Sequence, residues 1–260
     1  MKNVFASLRR RTFGALLPIL LRPQTREQLT RLGSAYGGWT LPTGRLRSDS
    51  VCYSFGAGED LTFDLELARL CGCTVHLFDP TPRARTHFEQ LREAAKLGAL
   101  PLDAKFVAYR PELLSAVEKL IFHPVGIWNE NTTLEFYGPE DPQHVSHSIV
   151  NLQRTRPGFK AEVRTLDSIM EHLGHSAVDL MKADVEGAEF EVLEYLVEHH
   201  IFPDIMAIEF DAVAHGGALE LRSLIELSRD FRTHDYQLAH IESWNYLFLR
   251  GSEIGEVRPF

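Results

Sequence analysis

The chain has 260 residues, 44% of them hydrophobic and 24% charged, the make-up of a globular protein with room for one large α/β domain. Its net charge of −9 is uneven: residues 1–50 carry nine Lys and Arg against Glu27 and Asp49, so the rest of the chain holds −16. An acidic body of this kind argues against nucleic acid as a partner, because phosphate neutralisation needs clustered cations.

The N-terminal stretch "MKNVFASLRRRTFGALLPILLRPQ" has an apolar run, Phe13 to Leu21, that is broken by Pro18 and followed by Arg22. It is too short for a bilayer span and lacks a small-residue cleavage site. It reads as a basic amphipathic helix that docks on the domain, on a second subunit, or on an anionic membrane surface. The expected organisation is a basic helical extension over 1–48 and one domain over 49–260. Cys52, Cys71 and Cys73 are odd in number and form no metal-ligand spacing, which points to reduced thiols in a cytoplasmic protein.

From residue 50 onward, short apolar runs alternate with helical patterns, the signature of a parallel sheet with crossover helices. "VCYSF" (51–55) predicts the first strand of this series, followed by a glycine turn and a helix to about Leu70. "TVHLF" (74–78) predicts the second strand, and Pro80 and Pro82 punctuate the approach to a helix over about 83–97. Residues 98–119 carry no clear period. "LIFHPVGIW" (120–128) predicts the third strand, and Thr132–Tyr137 alternates like another. Residues 143–160 read as a polar loop, "LDSIMEHL" as a short helix, and "VDLMKAD" (178–184) as the fourth parallel strand. The amphipathic "EGAEFEVLEYLVEHH" precedes a fifth strand, "DIMAIEF" (204–210). A helix over "LELRSLIELSRDF" and a terminal antiparallel pair, "YQLAHIES" and "NYLFLR", complete the pattern.

Ligands of open α/β sheets bind at the carboxyl ends of the strands. There the sequence offers Gly56, Ala57 and Gly58 after the first strand and Asp79 at the end of the second, 21 residues beyond Gly58. A carboxylate at that distance suits ribose hydroxyls, so the pair indicates a nucleoside ligand. Glu59 and Asp60 stand where a pyrophosphate would sit on the helix N-terminus, and Leu61 occupies the third glycine position. Like charges there cost about 1–4 kcal/mol. S-adenosylmethionine has no phosphate and carries an ammonium and a sulfonium, so acids beside the turn favour it over a nicotinamide dinucleotide. The same acids also suit capping of the next helix.

The stretches "YSFGAGEDLTFDLEL", "VHLFDPTPRA", "HPVGIWNENTTLEFYGPEDPQHVSHSIVNLQ", "TLDSIM" and "LMKADVEGAEFEVLEYL" resemble the FkbM-type S-adenosylmethionine-dependent methyltransferases, in the branch whose glycine loop reads SFG, any residue, G, then an acid. "LGSAYGGW" (32–39) resembles the same branch, and the likeness runs from Leu32 to Asp211. It implies a class I, Rossmann-like, doubly wound sheet of seven strands with the last pair antiparallel. It also implies that Gly56, Ala57 and Gly58 approach the methionine part of the donor, Asp79 the ribose, and Trp128 and Asn129 the adenine. Ser54 departs from the acid that many such enzymes place at the end of the first strand, a charge that Glu59 or Asp60 would supply instead.

Members of the family resemble O-methyltransferases acting on hydroxyls of sugars or natural products, which implies a small-molecule or glycan acceptor. Transfer needs the acceptor oxygen in line with the methyl and a base beside it. Asp184, Glu209 and His147 are the candidates for that work, and Asp184 is also a candidate donor contact. Each has a plain structural reading as well: a helix cap, an ion pair with Lys182, a loop hydrogen bond. Asp184, Glu209 and Asp211 form an alternative set for a divalent cation, although the expectation is no metal. Tyr36 and Trp39 either cover the site or pack an N-terminal segment onto the sheet. A non-catalytic methyltransferase-like binding module and an NAD-dependent oxidoreductase are the competing functions.

Overall fold

The computed structural model describes residues 21–102, 104–137, 157–215 and 218–251. Strands β1 (Thr30–Leu32) and β2 (Trp39–Leu41) pair antiparallel, with Leu32 opposite Trp39. The expected helical extension is therefore a hairpin over this part of 1–48, whereas residues 1–20 lie outside the described chain. The reason is local: Gly33, Gly37 and Gly38 fall within six residues, and the β-branched Thr40 lies between the buried Trp39 and Leu41. Leu32, Trp39, Leu41 and Leu46 join the core of the domain that follows.

The central sheet begins with β3 (Val51–Phe55), β4 (Thr74–Phe78) and β5 (Leu120–His123), all parallel. Between them lie helices α1 (Thr62–Cys71) and α2 (Pro82–Leu97). Helix α2 shows how the chain writes its own boundaries. The Thr81 hydroxyl accepts from the Ala84 N–H, Pro82 fills the first turn, and Gly98 closes the end with φ +67°.

The expected third strand divides at Pro124, which has no N–H for a sheet ladder. Beyond it, β6 (Gly126–Ile127) leaves the central sheet and pairs with β8 (Pro157–Arg164), which also carries the antiparallel β7 (Thr132–Tyr137). Residues 157–160, expected in the polar loop, thus belong to a strand. The nine residues 111–119 form a 3-10 helix where the sequence shows no clear period.

The chain then returns through α3 (Leu166–Leu173) to β9 (Leu180–Ala183), α4 (Glu189–Glu198) and β10 (Ile205–Glu209). After α5 (Asp211–His215) and α6 (Ala218–Thr233), the antiparallel pair β11 (Tyr236–Glu242) and β12 (Asn245–Arg250) completes the sheet. The seven strands run in the order β11-β12-β10-β9-β3-β4-β5.

Neighbouring residues of these strands bury on opposite faces. Cys52, Leu180 and Ile205 pack with α1 and α2 residues such as Leu65 and Leu91, whereas Tyr53, Met181 and Met206 pack with Val192 and Leu193 of α4 and Leu224 of α6. Both faces are covered, so the strands read as continuous apolar runs, and each buried Leu or Ile contributes roughly 1.5–3 kcal/mol. The sheet order reverses between β3 and β9, where chain connections leave in opposite directions and open a crevice at the carboxyl edge. No helix of the described residues is long and apolar enough to cross a membrane.

Candidate functional site

The crevice between β3 and β9 begins at Gly56. Its φ is +73°, and a Cβ there would overlap the carbonyl oxygen of Asp184 at the end of β9. The Gly56 N–H donates to the Phe78 carbonyl at 2.9 Å, and the Asp184 N–H donates to Phe55 at 3.1 Å. The turn is therefore held between both neighbouring strands. Gly58, with φ +58° and open space around it, donates its N–H to Oδ2 of Asp79 at 2.9 Å. The other oxygen of Asp79 accepts from the Thr81 N–H at 2.8 Å and the Thr81 hydroxyl at 2.6 Å. One buried carboxylate thereby joins the glycine turn to the cap of α2.

A cavity of about 480 Å³ opens above this turn, within the range of small-molecule sites. Gly56, Ala57, Gly58, Glu59, Asp60 and Asp79 line one side, with Asp184 and Glu209 on the other. Ser54 does not reach it; this residue is buried beside Asp64. Trp128 and Asn129 also lie off the cavity. Trp128 packs into the second core cluster and donates its N–H to Arg164, and Asn129 is exposed. Because the chain turns at Pro124, the wall is made two residues earlier, by Gly126 and Ile127, with Phe136 from β7. His147 lies outside the described residues.

Glu59 and Asp60 have their partners within the protein. Glu59 meets Arg83 at 2.8 Å and Lys105 at 2.5 Å. Burial opposes its charge, but the two cations outweigh burial and hold its carboxyl below the usual value. Asp60 accepts from the Ser34 hydroxyl at 2.5 Å, the Thr62 N–H at 3.0 Å and the Thr62 hydroxyl at 2.6 Å. It satisfies the first N–H of α1, that of Thr62, and fixes the β1–β2 turn in the same act.

Lys182 is a site residue that the sequence reading reached only as a partner for Glu209. Its ammonium donates to the carbonyls of Phe55 at 3.1 Å and Gly56 at 2.8 Å, lies 3.9 Å from Oδ2 of Asp184, and sits 5.4 Å from the ring centre of Trp39. Asp64, fully enclosed nearby, has its carboxyl pushed up to about 6 by burial, with Lys182 and Ser54 pulling the other way. The available signal was a lysine in the middle of "VDLMKAD": a charge within a strand buried on both faces needs a purpose.

Beyond β9 the acids face one another. Asp184, Glu186 and Asp211 each bring one carboxylate oxygen to within 4.8 Å of the others, so these three, rather than the expected Asp184, Glu209 and Asp211, form the set with the spacing of a divalent-cation site. Burial, and then neighbouring carboxylates, push Glu209 up to about 8 and Asp211 up to about 10. Asp184 is raised by burial against the pull of Lys182. Glu189 beneath them accepts from the N–H groups of Gly187 at 2.8 Å and Asp211 at 3.3 Å, tying the two loops together. Glu209 and Asp211 therefore favour the protonated form at neutral pH and present carboxyls that both accept and donate hydrogen bonds.

Tyr36 stands at the mouth. The residue is 87% exposed, yet its hydroxyl is near enough to the wall that partial desolvation, then Asp184, Glu186, Glu209 and Asp60, raise its pKa. Asn245 at the start of β12 and Arg83 on α2 complete the rim; neither was among the expected site residues.

The sequence matches the methyltransferase FkbM domain over residues 52–246. Probable methyltransferase-like protein 24 of Rattus norvegicus is 24% identical over 197 residues, covering 72% of this chain and 42% of the relative. The Homo sapiens protein of the same description is 24% identical and covered to 41%, so the chain spans under half the length of these curated relatives. Among solved structures, methyltransferase FkbM from Methylobacillus flagellatus KT aligns with a TM-score of 0.45 at 15% identity, over 78% of this chain and 44% of that one. A methyltransferase from Pyrococcus furiosus aligns with a TM-score of 0.34 at 11% identity, over 96% of this chain and 100% of that one. The match that spans β3 to β12, and with them the glycine turn, Asp79 and the acidic wall, is the decisive one: the chain belongs to the FkbM methyltransferase domain family.

Proposed function

We propose that the protein is an S-adenosylmethionine-dependent methyltransferase that modifies a hydroxyl of a sugar or a related natural product. The observation that carries the reading is the glycine turn between β3 and α1. It is too close to β9 for a side chain at Gly56, is bonded to the buried Asp79, and is edged by Asp60, whose partners Ser34 and Thr62 are uncharged, so that a phosphate there would meet a carboxylate. Family membership supports methyl transfer.

In this reading the backbone of Gly56 to Gly58 borders the amino-acid part of the donor. Asp79 accepts from ribose hydroxyls through the lone pairs that Gly58 and Thr81 leave over, and Ile127 and Phe136 offer apolar surface to the base. The donor, when bound, supplies an electrophilic methyl on sulfur. Asp184, beside the Lys182 ammonium, would receive the proton of the acceptor hydroxyl that Glu209 helps to hold in line, the methyl–sulfur bond breaking as the oxygen–methyl bond forms so that S-adenosylhomocysteine leaves. Lys182 keeps the turn in place through the Phe55 and Gly56 carbonyls.

Calorimetry with S-adenosylhomocysteine tests this. The wild type is expected to bind with Kd of about 1–100 μM, and Asp79→Ala to lose binding by at least about tenfold. Because Asp79 also holds Gly58 and Thr81, Thr81→Ala serves as the control that disturbs the cap and leaves the carboxylate. Binding of NADH in place of S-adenosylhomocysteine, or unchanged affinity in Asp79→Ala, would overturn the assignment.

A further inference from the structure

Four histidines gather behind the wall of the cavity, apart from its acids. Nδ1 of His76, buried on β4, lies 3.0 Å from Nε2 of His123 at the end of β5, with the two rings stacked at 5.3 Å between centres. His175, just past α3, meets the Tyr53 hydroxyl through Nδ1 at 2.6 Å and stands nearly perpendicular to His76 at 5.1 Å. His172, in the last turn of α3, also acts on His123. The titratable groups that face the pair are thus His172 and His175 from α3 and its end, and Tyr53 from β3. Among the described residues, no carboxylate acts on either ring. Burial, and then the neighbouring imidazoles, bring His76 down from 6.5 to about 4 and lower His123 as well. A hydrogen bond between two imidazoles needs one nitrogen with a proton and one without. The pair therefore survives neutral or singly charged and breaks when both rings are charged.

Its position gives the pair a lever on the cavity. His123 stacks on Phe78 at 4.6 Å, and its carbonyl accepts from the Asp79 N–H at 3.2 Å. Phe78, Asp79, Gly126 and Ile127 line the cavity, the last two just beyond His123 across the bend at Pro124. Strand β5 has four residues and ends the sheet order, bonded to β4 on one side, so it is held less firmly than the strands at the centre. We propose that the His76–His123 pair is an acid-sensitive latch: when both rings take a proton, β5 parts from β4 and carries the Asp79 contact and the Gly126–Ile127 wall with it. Its effect on a ligand rests on the reading that this end of the cavity takes the methyl donor. The sign follows from proton counting. In the parted state the rings regain their ordinary value and bind protons that the closed state excludes. Closure is therefore fully favoured above 6.5 and weakens as pH falls towards 4.

The test compares the full chain at pH 7.5 and 5.5 by hydrogen exchange, corrected for the intrinsic pH dependence of exchange, and by calorimetry with S-adenosylhomocysteine. In the wild type, peptides over 119–128 are expected to open about tenfold more often at pH 5.5, the factor that one ring supplies between 6.5 and about 4. Peptides over β9 and β10 are expected to stay unchanged, and affinity for S-adenosylhomocysteine to fall about three- to tenfold. His123→Phe keeps a ring on Phe78 and takes no proton, and His76→Phe removes the other half of the pair. In both variants each change is expected to shrink below about twofold. The wild-type comparison stands whether or not both variants fold. If 119–128 exchanges alike at the two pH values, or if its acid opening persists in both phenylalanine variants, the latch is refuted. If only the affinity change persists in them, the titration belongs to the carboxyl wall and the latch does not reach the ligand. If S-adenosylhomocysteine binds at neither pH, the donor reading falls, and exchange over 119–128 still decides the latch.

Discussion

On the glycine-turn side of the cavity, Glu59 lies between Arg83 and Lys105, and Asp60 closes on Ser34 and Thr62. On the opposite side, Asp184, Glu186 and Asp211 bring carboxylate oxygens within 4.8 Å of one another. The residue types are the same and their chemical states differ. Two full charges at that separation repel by about 3–4 kcal/mol at an effective dielectric of 20, which adds to burial in favouring the protonated form of Asp211, whereas Glu59 ionises more readily beside its two cations. The lesson is that an acid beside a ligand cavity takes its role from what already satisfies it. Glu59 and Asp60 are committed to holding the fold, whereas Asp184 and Glu209 keep hydrogen-bonding capacity for something that enters.

The largest expected effect comes where the two sides meet, at Gly56. Gly56→Ala forces a methyl into the Asp184 carbonyl at a positive φ, so β3 and β9 must part. A loss of roughly 3 kcal/mol or more in urea unfolding is expected. Gly58→Ala has open space and keeps only the backbone penalty, about 1 kcal/mol. Equal costs for the two variants would mean that the strands do not approach as closely as the geometry requires.

The next effect separates the two kinds of acid directly. Asp60→Ala removes the acceptor for three donors and is expected to cost about 1–3 kcal/mol, read as a lower urea midpoint with an unchanged slope. Asp184→Asn removes one member of the crowded group, so stability is expected to hold or to rise by up to about 1 kcal/mol. A drop for Asp184→Asn as large as that for Asp60→Ala would erase the distinction between the sides.

How much of this the sequence discloses depends on how far apart the partners lie in the chain. Strands β3 and β4 are legible because both faces bury, and α2 is legible because Thr81, Pro82 and Gly98 are local signals. The hairpin over 30–41 is not, since three-residue strands fall below any period, and the run 120–128 hides a change of sheet behind one proline. In the site, Gly56 and Asp79 stand out because the turn and the strand end are local features. Glu59 reads as an acid out of place, but its partners Arg83 and Lys105 lie 24 and 46 residues away, and no pattern near Glu59 announces them. Trp128 and Asn129 miss the cavity for a similar reason: the bend at Pro124 moves the wall back to Gly126 and Ile127.

The smallest effect, and the one with the clearest sign, is the pH dependence of Glu59→Gln set against Glu209→Gln. Glu59 ionises more readily in the folded protein than at its ordinary 4.5, so its contribution to stability is present above that value and disappears as pH falls through the lower, folded value. Its cations are 40% and 45% exposed, which limits each pair to roughly 0.2–1 kcal/mol. Glu209 is the reverse. Its folded value of about 8 lies above 4.5, so the folded state holds the extra proton in between, and stability falls as pH rises through that window. Melting temperatures recorded from pH 4 to 9 are therefore expected to diverge in opposite directions. Glu59→Gln lies below the wild type at pH 7 and converges with it towards pH 4, whereas Glu209→Gln matches the wild type at low pH and moves above it by pH 9. Parallel curves for the two variants would show that the acids of both sides share one environment, and that the division of labour between them is wrong.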